Sequence, residues 1–476
     1  MLAAMAATGA CAQGLTLDSC RSMAVRNNKA IRMVQEGVES AGYYKRAAKA
    51  AYLPGIDFSG TYMYNQHQIE LLGEDAMLPT KKFNPLTMQY DYNLVLDPVS
   101  GEPIRDPKTG SVIPSEVAVI PKEAMQYDTH NVFAGAFTLT QPVYMGGQIR
   151  AMNQITKYAE EMARSMRNAA IQDVVLAVDE AYWLVVSLQA KQRLAESFVA
   201  LVDSLSRNVK VMLREGVATR SDVLTVEVKL NEAQIALVKV NNGLTLSRMA
   251  LAQLCGLPID SPMQLAASEA PIPRGAEPAE EMERVYASRP DLATLRHTIS
   301  VFESREKLSM SSMLPKIAIV GAYSFSNPNV NHGFSKSFGG GFNVGAMLTV
   351  PLWHWGGNYN KYRAAKAQTN MQRLALAEAE EKVDLQVRQA RFKYDESYKT
   401  YGMTERNLVK ADENLRQAQI AFREGVMTAD DVIAAQTAWL QAHSEKIDAG
   451  IGISLCRVYL DKVLGRLTQY DSIYSN

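Results

Sequence analysis

The chain contains 476 residues, and its 50 basic and 50 acidic side chains give a formal net charge of zero. This balance argues against a basic surface for phosphate groups, so no nucleic acid partner is predicted. Hydrophobic residues make up 47% of the chain, but no apolar run reaches the roughly 18 residues that a membrane-spanning helix requires.

The chain begins with a segment, residues 1–12, that resembles the end of an export signal. Ala10-Cys11-Ala12 fits the pattern of small residues before a cleavage site, and Cys11 is also a candidate for lipid attachment. The other cysteines have no metal-binding spacing, and we interpret them as small buried side chains: Cys20, Cys255 and Cys456. No metal site and no cofactor are predicted.

Helical and strand periodicities alternate in the first half of the chain. A helix is predicted from about Cys20 to Tyr52. Alternating apolar residues then predict strands at about 55–65 and 132–142, the second of which ends at Pro142. Between the strands lies a polar insertion, 66–130, whose Pro and Gly residues indicate turns around short hairpins.

Two further helices complete the first half. No Pro or Gly interrupts the segment at about 147–215, which predicts one continuous helix on the order of 100 Å long. A shorter helix is predicted at about 222–255, and the first structural repeat is assigned to 13–257. A linker rich in Pro, Ala and Glu, 258–281, separates the two halves.

The second half repeats this order. A helix is predicted from about Met282 to Met313, and the remaining predicted elements are strands at about 316–326 and 341–351 and helices at about 358–424 and 430–464. The second structural repeat is assigned to 282–467, and a tail to 468–476. The motif Arg-Glu-Gly-Val-x-Thr starts at position 214 and again at position 423, an offset of 209. Such a long offset indicates a duplicated architecture.

Both short helices carry coiled-coil seams. Mostly apolar or small residues recur at alternating spacings of three and four, from Val223 to Leu254 and from Val432 to Val463. This period predicts knobs-into-holes packing against neighbouring helices. We interpret the seams as core and not as binding sites.

No pattern predicts an enzyme. The six histidines are scattered along the chain, and none shares a helical face with another histidine or with a cysteine. The sequence contains neither a nucleophile elbow nor a His-Glu pair at helical spacing. We therefore predict that the protein passes other molecules and catalyses no reaction.

The chain resembles the TolC family of outer-membrane efflux channels. The resemblance rests on the paired Arg-Glu-Gly-Val-x-Thr-x-x-Asp-Val turns and on the strand ends 138–143 and 348–352, each followed by a Gly-Gly pair. It also rests on the order helix, two strands, long helix, turn and short helix, which occurs twice. The resemblance extends from Leu15 to Leu467.

The resemblance implies a mainly helical fold with membrane strands. Each chain would contribute a duplicated TolC-like unit, with a long coiled-coil α-barrel and four strands of a twelve-stranded β-barrel that a homotrimer closes. Four short strands cannot close a barrel alone, because about eight strands are the minimum. The implied location is the outer membrane lipid of a Gram-negative bacterium, with a large periplasmic portion.

The implied function is a passive exit duct of a tripartite efflux or type I secretion system. A periplasmic adaptor and an inner-membrane transporter would be its partners. In this topology the insertion at 66–130 faces the cell exterior, as a lid over the channel mouth or as a tolerated surface loop.

The resemblance also assigns candidate residues at the two turns. The turns would contact the adaptor through Arg214, Glu215, Gly216, Val217, Thr219, Arg423, Glu424, Gly425, Val426 and Thr428. Glycine and threonine also suit ordinary helix ends, so a purely structural role stays open.

The pore constriction at the periplasmic tip would carry Asp431, with Asp222 and Asp430 beside it. The family's second acidic position is Ala434 in this chain. Asp222 either takes part in salt bridges that hold the tip closed, with Arg214, Arg220 and Arg423 as candidate partners, or lies on a solvated surface.

One alternative comes from another class of protein. A periplasmic adaptor, or a coiled-coil scaffold without a pore, would also contain long helices with apolar seams. Neither would account for four alternating strands at matched positions of a duplicated chain. The channel is therefore the preferred interpretation.

Overall fold

The computed structural model describes residues 14–267, 281–333 and 335–467. The predictions for 1–12, for Cys11 and for the tail at 468–476 lie outside these residues, as does most of the linker predicted at 258–281. The described residues form two compact units. The helical unit is drawn from 14–48, 150–310 and 355–467, and the strand unit from 49–149 and 311–354.

Within the described ranges the α-helices are α1 Leu17–Asn27, α2 Lys29–Ala50, α3 Gln148–Arg214, α4 Arg220–Leu254, α5 Met282–Ser288, α6 Pro290–Ser311, α7 Gly357–Arg423 and α8 Ala429–Val463. The strands are β1 Gly55–Tyr64, β2 Ile69–Glu70, β3 Ala76–Pro79, β4 Lys81–Asn84, β5 Gln89–Tyr92, β6 Val117–Ile120, β7 Gln126–Tyr127, β8 Asn131–Met145, β9 Lys316–Asn327 and β10 Gly339–Thr349.

The helical unit contains two long helices and two helices of about half that length. The long helices α3 and α7 have 67 residues each, so each is on the order of 100 Å long. The shorter α4 and α8 have 35 residues each. Their seams contain buried side chains along the whole length: Val223, Val226, Ala233, Leu244 and Leu251 in α4, and Val432, Ala435, Ala442, Ile453, Leu460 and Val463 in α8.

The helix predicted from Cys20 to Tyr52 is interrupted at Asn28, where the backbone is extended with ψ of 128°. The side-chain oxygen of Asn28 accepts a hydrogen bond from the backbone N–H of Ala30 at 2.8 Å. Its amide group donates to the carbonyl of Leu254 at 3.2 Å. Asparagine bonds of this kind compete with helical hydrogen bonds, and helical periodicity alone does not reveal them.

Two prolines differ from the prediction, which placed Pro290 in the first turns of one continuous helix and Pro142 at the end of a strand. The helix predicted from Met282 to Met313 breaks at Arg289, whose ψ is 121°, because a proline such as Pro290 disfavours helical geometry in the residue before it. Conversely, β8 does not end at Pro142. The strand continues to Met145 with a shift in register after Pro142, and a bulge tolerates a proline that has no N–H to donate.

The main sheet of the strand unit has the order β1-β8-β9-β10, and all of its neighbours are antiparallel. One row of paired residues crosses all four strands: Phe58, Phe137, Tyr323 and Phe342. Side chains alternate between the two faces of a sheet. The position of this row therefore determines on which face each remaining residue of the four strands lies. In the single chain β1 and β10 are the edge strands.

The insertion at 66–130 folds back on itself. β2 pairs with β7, β3 with β6 and β4 with β5, so the outer pairs enclose the inner ones. Asp97 and Asp106 stabilise two of its turns by accepting hydrogen bonds from the N–H groups of Val99 at 2.7 Å and Lys108 at 2.8 Å.

No helix in the described part of the chain is both long and apolar enough to cross a membrane.

Candidate functional site

Two residues after each long helix comes a glycine with a left-handed backbone, Gly216 with φ of +76° and Gly425 with φ of +74°. In the first turn the N–H of Gly216 donates to the carbonyl of Leu213 at 3.1 Å, and the N–H of Val217 to Met212 at 2.9 Å. The second turn repeats both bonds, which define a Schellman motif. A Cβ added at either glycine would meet no atom within 4 Å. The backbone conformation alone therefore favours glycine.

Each short helix then starts with a capping box. The hydroxyl of Thr219 accepts from the N–H of Asp222 at 3.2 Å, and the carboxylate of Asp222 accepts from the N–H of Thr219 at 2.7 Å. Thr428 and Asp431 form the same two bonds at 3.3 Å and 2.9 Å. These reciprocal bonds satisfy backbone donors that the first helical turn leaves unpaired.

The caps determine the electrostatics of the two aspartates. Hydrogen bonds from the threonine backbone and then from the threonine hydroxyl lower the pKa of Asp222 and Asp431. Within the described residues of the single chain, no ion pair joins Asp222 to Arg214, Arg220 or Arg423. Its carboxylate is bonded to threonine instead. The neighbouring ion pairs are Arg207–Asp203 at 3.1 Å and Lys210–Glu227 at 2.8 Å.

The structure brings the two turns together. One hydrophobic cluster contains buried residues from all four helices that flank them: Val209, Val223, Phe422 and Val432. All ten residues predicted to contact the adaptor are exposed in the single chain, and so are Asp430 and Asp431. Val217 and Val426 are 71% and 79% exposed. Each turn therefore presents an apolar side chain on a rigid, capped backbone.

A polar cluster between α7 and α8 was not found from the sequence. One carboxylate oxygen of Asp412 in α7 accepts from the indole N–H of Trp439 at 2.8 Å and lies 2.9 Å from Nε2 of His443 in α8. The sequence did contain a signal, because Asp412 and Trp439 lie at nearly equal distances along the chain from Gly425. An antiparallel helix pair brings such positions side by side.

The two faces of the main sheet differ in chemistry. One face carries exposed apolar and aromatic side chains: Ile56, Phe58, Tyr62, Phe133, Phe137, Leu139, Ile319, Tyr323, Phe342, Val344 and Leu348. The opposite face carries mostly small and polar residues: Asp57, Ser59, Thr61, Ala134, Ala136, Thr138, Ala322, Ser324, Asn343 and Gly345. Rings on the apolar face contact across strands, with centroids 4.9 Å apart for Phe58 and Phe137.

Two glycines make room for the aromatic rings on this face. A Cβ on Gly135 would lie 2.5 Å from the ring of Phe325, and a Cβ on Gly340 would lie 2.7 Å from the hydroxyl of Tyr323. Both contacts are closer than a real Cβ allows, so the rings lean across strand positions that lack a side chain. The described residues contain no group of three or more His, Cys, Asp or Glu side chains that could hold a metal ion.

Solved structures share this fold. The CusC structure, whose study concerns transmembrane channel formation, matches with a TM-score of 0.73 and 14% identity, over 94% of this chain and 91% of that one. The outer-membrane channel OprN matches with a TM-score of 0.72 and 14% identity, over 96% of this chain and 90% of that one. The CmeC outer membrane channel of Campylobacter jejuni matches with a TM-score of 0.71 and 15% identity, over 94% of this chain and 85% of that one.

Sequence comparison assigns the family. No curated protein sequence matches the chain. The outer membrane efflux protein family, however, matches residues 108–257 and 282–466, which include both capped turns and most of both structural repeats. The chain therefore belongs to the family of outer membrane efflux proteins.

Proposed function

We propose that three copies of the chain form a passive exit duct that crosses the outer membrane of a Gram-negative bacterium. Family membership makes the protein an outer membrane efflux protein with a TolC-like fold. The observation that carries the proposal is the main sheet, which has four strands and two open edges, β1 and β10. Pairing β10 of one copy with β1 of the next would close a twelve-stranded barrel, since closure removes exposed edges.

The two faces of the sheet support this assembly. Membrane barrels turn apolar side chains toward lipid and polar side chains toward the lumen. The apolar face, with Phe58, Phe342 and Val344 more than half exposed in the single chain, suits the outer membrane lipid. The small and polar residues of the other face would line the passage.

The paired turns are the proposed contact with a periplasmic adaptor. Their exposed backbone is held in the same conformation twice by glycine and by a capping box. Val217 and Val426 project from this backbone, and single apolar side chains on a rigid turn can enter small pockets of a partner. The flanking charges of Arg214, Glu215, Arg423 and Glu424 would orient the contact.

The constriction of the duct is proposed at Asp431, with Asp222 and Asp430 beside it. In a trimer each position occurs three times, and carboxylates around a narrow pore concentrate cations. Ala434 takes the place of a second acidic position of the family. The negative potential of this ring would therefore be weaker than that of a ring with two acidic positions.

The adaptor and scaffold alternatives are wrong, because the family match assigns the chain to outer membrane efflux proteins. We further propose that the duct has no catalytic activity. An inner-membrane transporter and the adaptor would supply energy, direction and choice of substrate, either in a tripartite efflux system or in a type I secretion system.

The test is the mass and conductance of the native assembly. Outer membranes are separated from inner membranes and extracted in mild detergent, and the particle mass is determined by light scattering corrected for detergent. We expect three chains per particle and discrete conductance steps in planar bilayers. A monomer or dimer, or a trimer without conductance, would contradict the duct.

A further inference from the structure

Two cysteines that are far apart in the chain meet in one buried cluster. Cys20 lies in α1, and Cys255 follows the last residue of α4. Both are thiols in the structure, and both are fully buried in the same hydrophobic cluster. Sγ of Cys255 lies 3.7 Å from the carbonyl oxygen of Cys20.

Other contacts hold the two segments together independently of the sulfur atoms. Leu15 forms a parallel bridge with Leu265, with the N–H of Leu15 donating to Gln264 at 2.8 Å. Asn28 donates to the carbonyl of Leu254, next to Cys255. Since bonds on both sides of Cys20 fix its position against the end of α4, the approach of the thiols is a property of the fold.

The backbone beside Cys255 is also fitted to α1. Gly256 has φ of +70°, and a Cβ added there would lie 2.6 Å from Cβ of Asn27. Only a residue without a side chain allows this approach. The end of α1 and the end of α4 are therefore packed backbone to backbone next to Cys255.

We propose that Cys20 and Cys255 form an intramolecular disulfide in the mature protein. The inference goes beyond the duct and needs only the outer-membrane location that the family gives, because exported proteins fold in a compartment where disulfides persist. The two thiols lose two protons and two electrons and form one S–S bond. A protein disulfide of the Cys-X-X-Cys oxidoreductase class accepts the electrons and becomes a dithiol.

The order of events follows from burial. A thiol reacts as its thiolate, and burial in an apolar cluster suppresses that form. Contact with Cys20 and burial both raise the pKa of Cys255, whereas contact with Cys255 lowers the pKa of Cys20. Both side chains are fully buried once the cluster has closed, so an oxidoreductase reaches them while the exported chain folds. The product joins residues 235 positions apart and ties the first helix to the end of the first repeat, which restricts the unfolded chain strongly.

Cys456 provides an internal control. It is half-buried in α8 and packs against a different hydrophobic cluster, which contains neither Cys20 nor Cys255. Cleavage after Lys and Arg places Cys20, Cys255 and Cys456 in separate peptides that end at Arg21, Arg274 and Arg457, and Cys11, where it is retained, lies in the peptide of Cys20. One digest therefore reports all three sulfur atoms.

The test is differential alkylation of protein purified from outer membranes without reductant. The protein is denatured, labelled with iodoacetamide, reduced, labelled with N-ethylmaleimide and digested, and a second sample is digested before reduction. We expect iodoacetamide on Cys456 alone, N-ethylmaleimide on Cys20 and Cys255, and a linked peptide pair before reduction. In Cys456→Ser the linked pair should persist, and in Cys20→Ser the thiol of Cys255 should take iodoacetamide.

Iodoacetamide on Cys20 and Cys255 of the wild-type protein would overturn the proposal. A link from either residue to Cys456, to Cys11 or to a second copy would overturn it as well. The wild-type measurement needs no variant to fold. The particle mass is determined on the same preparation. A trimer without the disulfide would contradict only this proposal, and a disulfide in a particle that is not a trimer would contradict only the proposed duct.

Discussion

One aspartate carboxylate takes part in the cap at the start of each short helix. In both turns the Oδ2 atom of the aspartate accepts hydrogen bonds from the backbone N–H and from the hydroxyl of the threonine three residues earlier. These bonds keep the pKa of Asp222 and Asp431 below its usual range, so both groups stay charged at neutral pH. Capping a helix and attracting cations are therefore compatible roles, and substitutions can separate them.

Asp431→Asn should weaken the block of the channel by divalent cations on the order of tenfold, because it removes one charge per copy but keeps an oxygen that can cap the helix. Thr428→Ala is the matched control. It loses the cap, at a cost of about 1 kcal/mol, but keeps the charge and should keep the block. Conductance in planar bilayers with and without Mg²⁺ measures both, and unchanged block in Asp431→Asn would remove this residue from the constriction.

A buried ion pair anchors α1 to α3. Nε and Nη2 of Arg21 each donate to an oxygen of Asp179 at 2.6 Å, and Asp179 is fully buried. Burial raises the pKa of Asp179, and the bonds from Arg21 oppose that change. Arg21→Ala would leave a buried carboxylate without this partner. It should lower the free energy of unfolding by roughly 3–5 kcal/mol.

The control replaces both charges. Arg21→Met with Asp179→Leu exchanges the ion pair for apolar side chains, and such exchanges of buried pairs are often neutral. The double variant should therefore recover most of the loss, measured by thermal unfolding of all three proteins in the same detergent. A double variant as unstable as Arg21→Ala would attribute the loss to packing and not to the unpaired charge.

At the scale of elements, the seams and the long helices could be predicted because their signals are local. The absence of Pro and Gly predicts an unbroken α3, and a seam needs only its own spacing. The break at Arg289 was missed, although the proline that follows Arg289 is a local signal for it. The break at Asn28 was not predicted either, because helical periodicity does not reveal the bond of Asn28 to Ala30 and only the fold brings Leu254, 226 positions away, within reach of its amide group.

The candidate site also has features that local sequence predicts and features that depend on distant contacts. The turns could be predicted from Gly216 and Gly425, and Thr-x-x-Asp is the spacing of a capping box. The packing of one turn against the other, and the bonds from Trp439 and His443 to Asp412, depend on how whole helices pair. Local spacing does not encode that pairing.

The two turns act as one surface if they meet an adaptor. Replacing both Val217 and Val426 with Asp should leave trimer yield and thermal stability unchanged, because both side chains are more than two thirds exposed. Binding to the adaptor should fall at least tenfold, since a charge would enter an apolar contact. Val99→Asp is the matched control, being the same substitution at a valine that is 94% exposed in the insertion.

Adaptor binding is measured by pull-down and by interferometry with the purified trimer, and efflux by accumulation of a fluorescent substrate in whole cells. The Val99 variant should behave as the wild type in each assay. Full binding and efflux by the double variant would leave the valines with no role in the contact and would favour purely structural turns.

At the scale of the whole molecule, the paired turn motifs, the strand ends and the duplicated order of elements together gave the resemblance that predicted a TolC-like fold. It did not predict which strands are neighbours. β8 of the first half pairs with β9 of the second, so one sheet joins both halves and leaves β1 and β10 at its edges. One edge comes from each half. Every copy therefore offers both sides of the same contact, as a closed ring requires.

Adjacent residues of β10 test which face of this sheet meets lipid. Val344 lies on the apolar face and Asn343 on the opposite face, so the same lysine can be placed on either side of one strand. Val344→Lys should lower the stability of the barrel by roughly 2–4 kcal/mol if the residue lies near the bilayer midplane. Asn343→Lys should assemble normally and shift the conductance toward anions, because its charge would line the passage.

The decisive comparison is the amount of trimer in outer membranes, measured by electrophoresis with and without heating, against the ion selectivity in bilayers. Loss of trimer in Val344→Lys alone, with altered selectivity in Asn343→Lys alone, would fit a barrel whose apolar face is outside. The reverse pattern would mean that the small and polar face meets lipid and the apolar face lines the passage. Equal loss in both variants would mean that neither face is open to water, and since a duct needs one wet face, the sheet would then have to be packed against other protein.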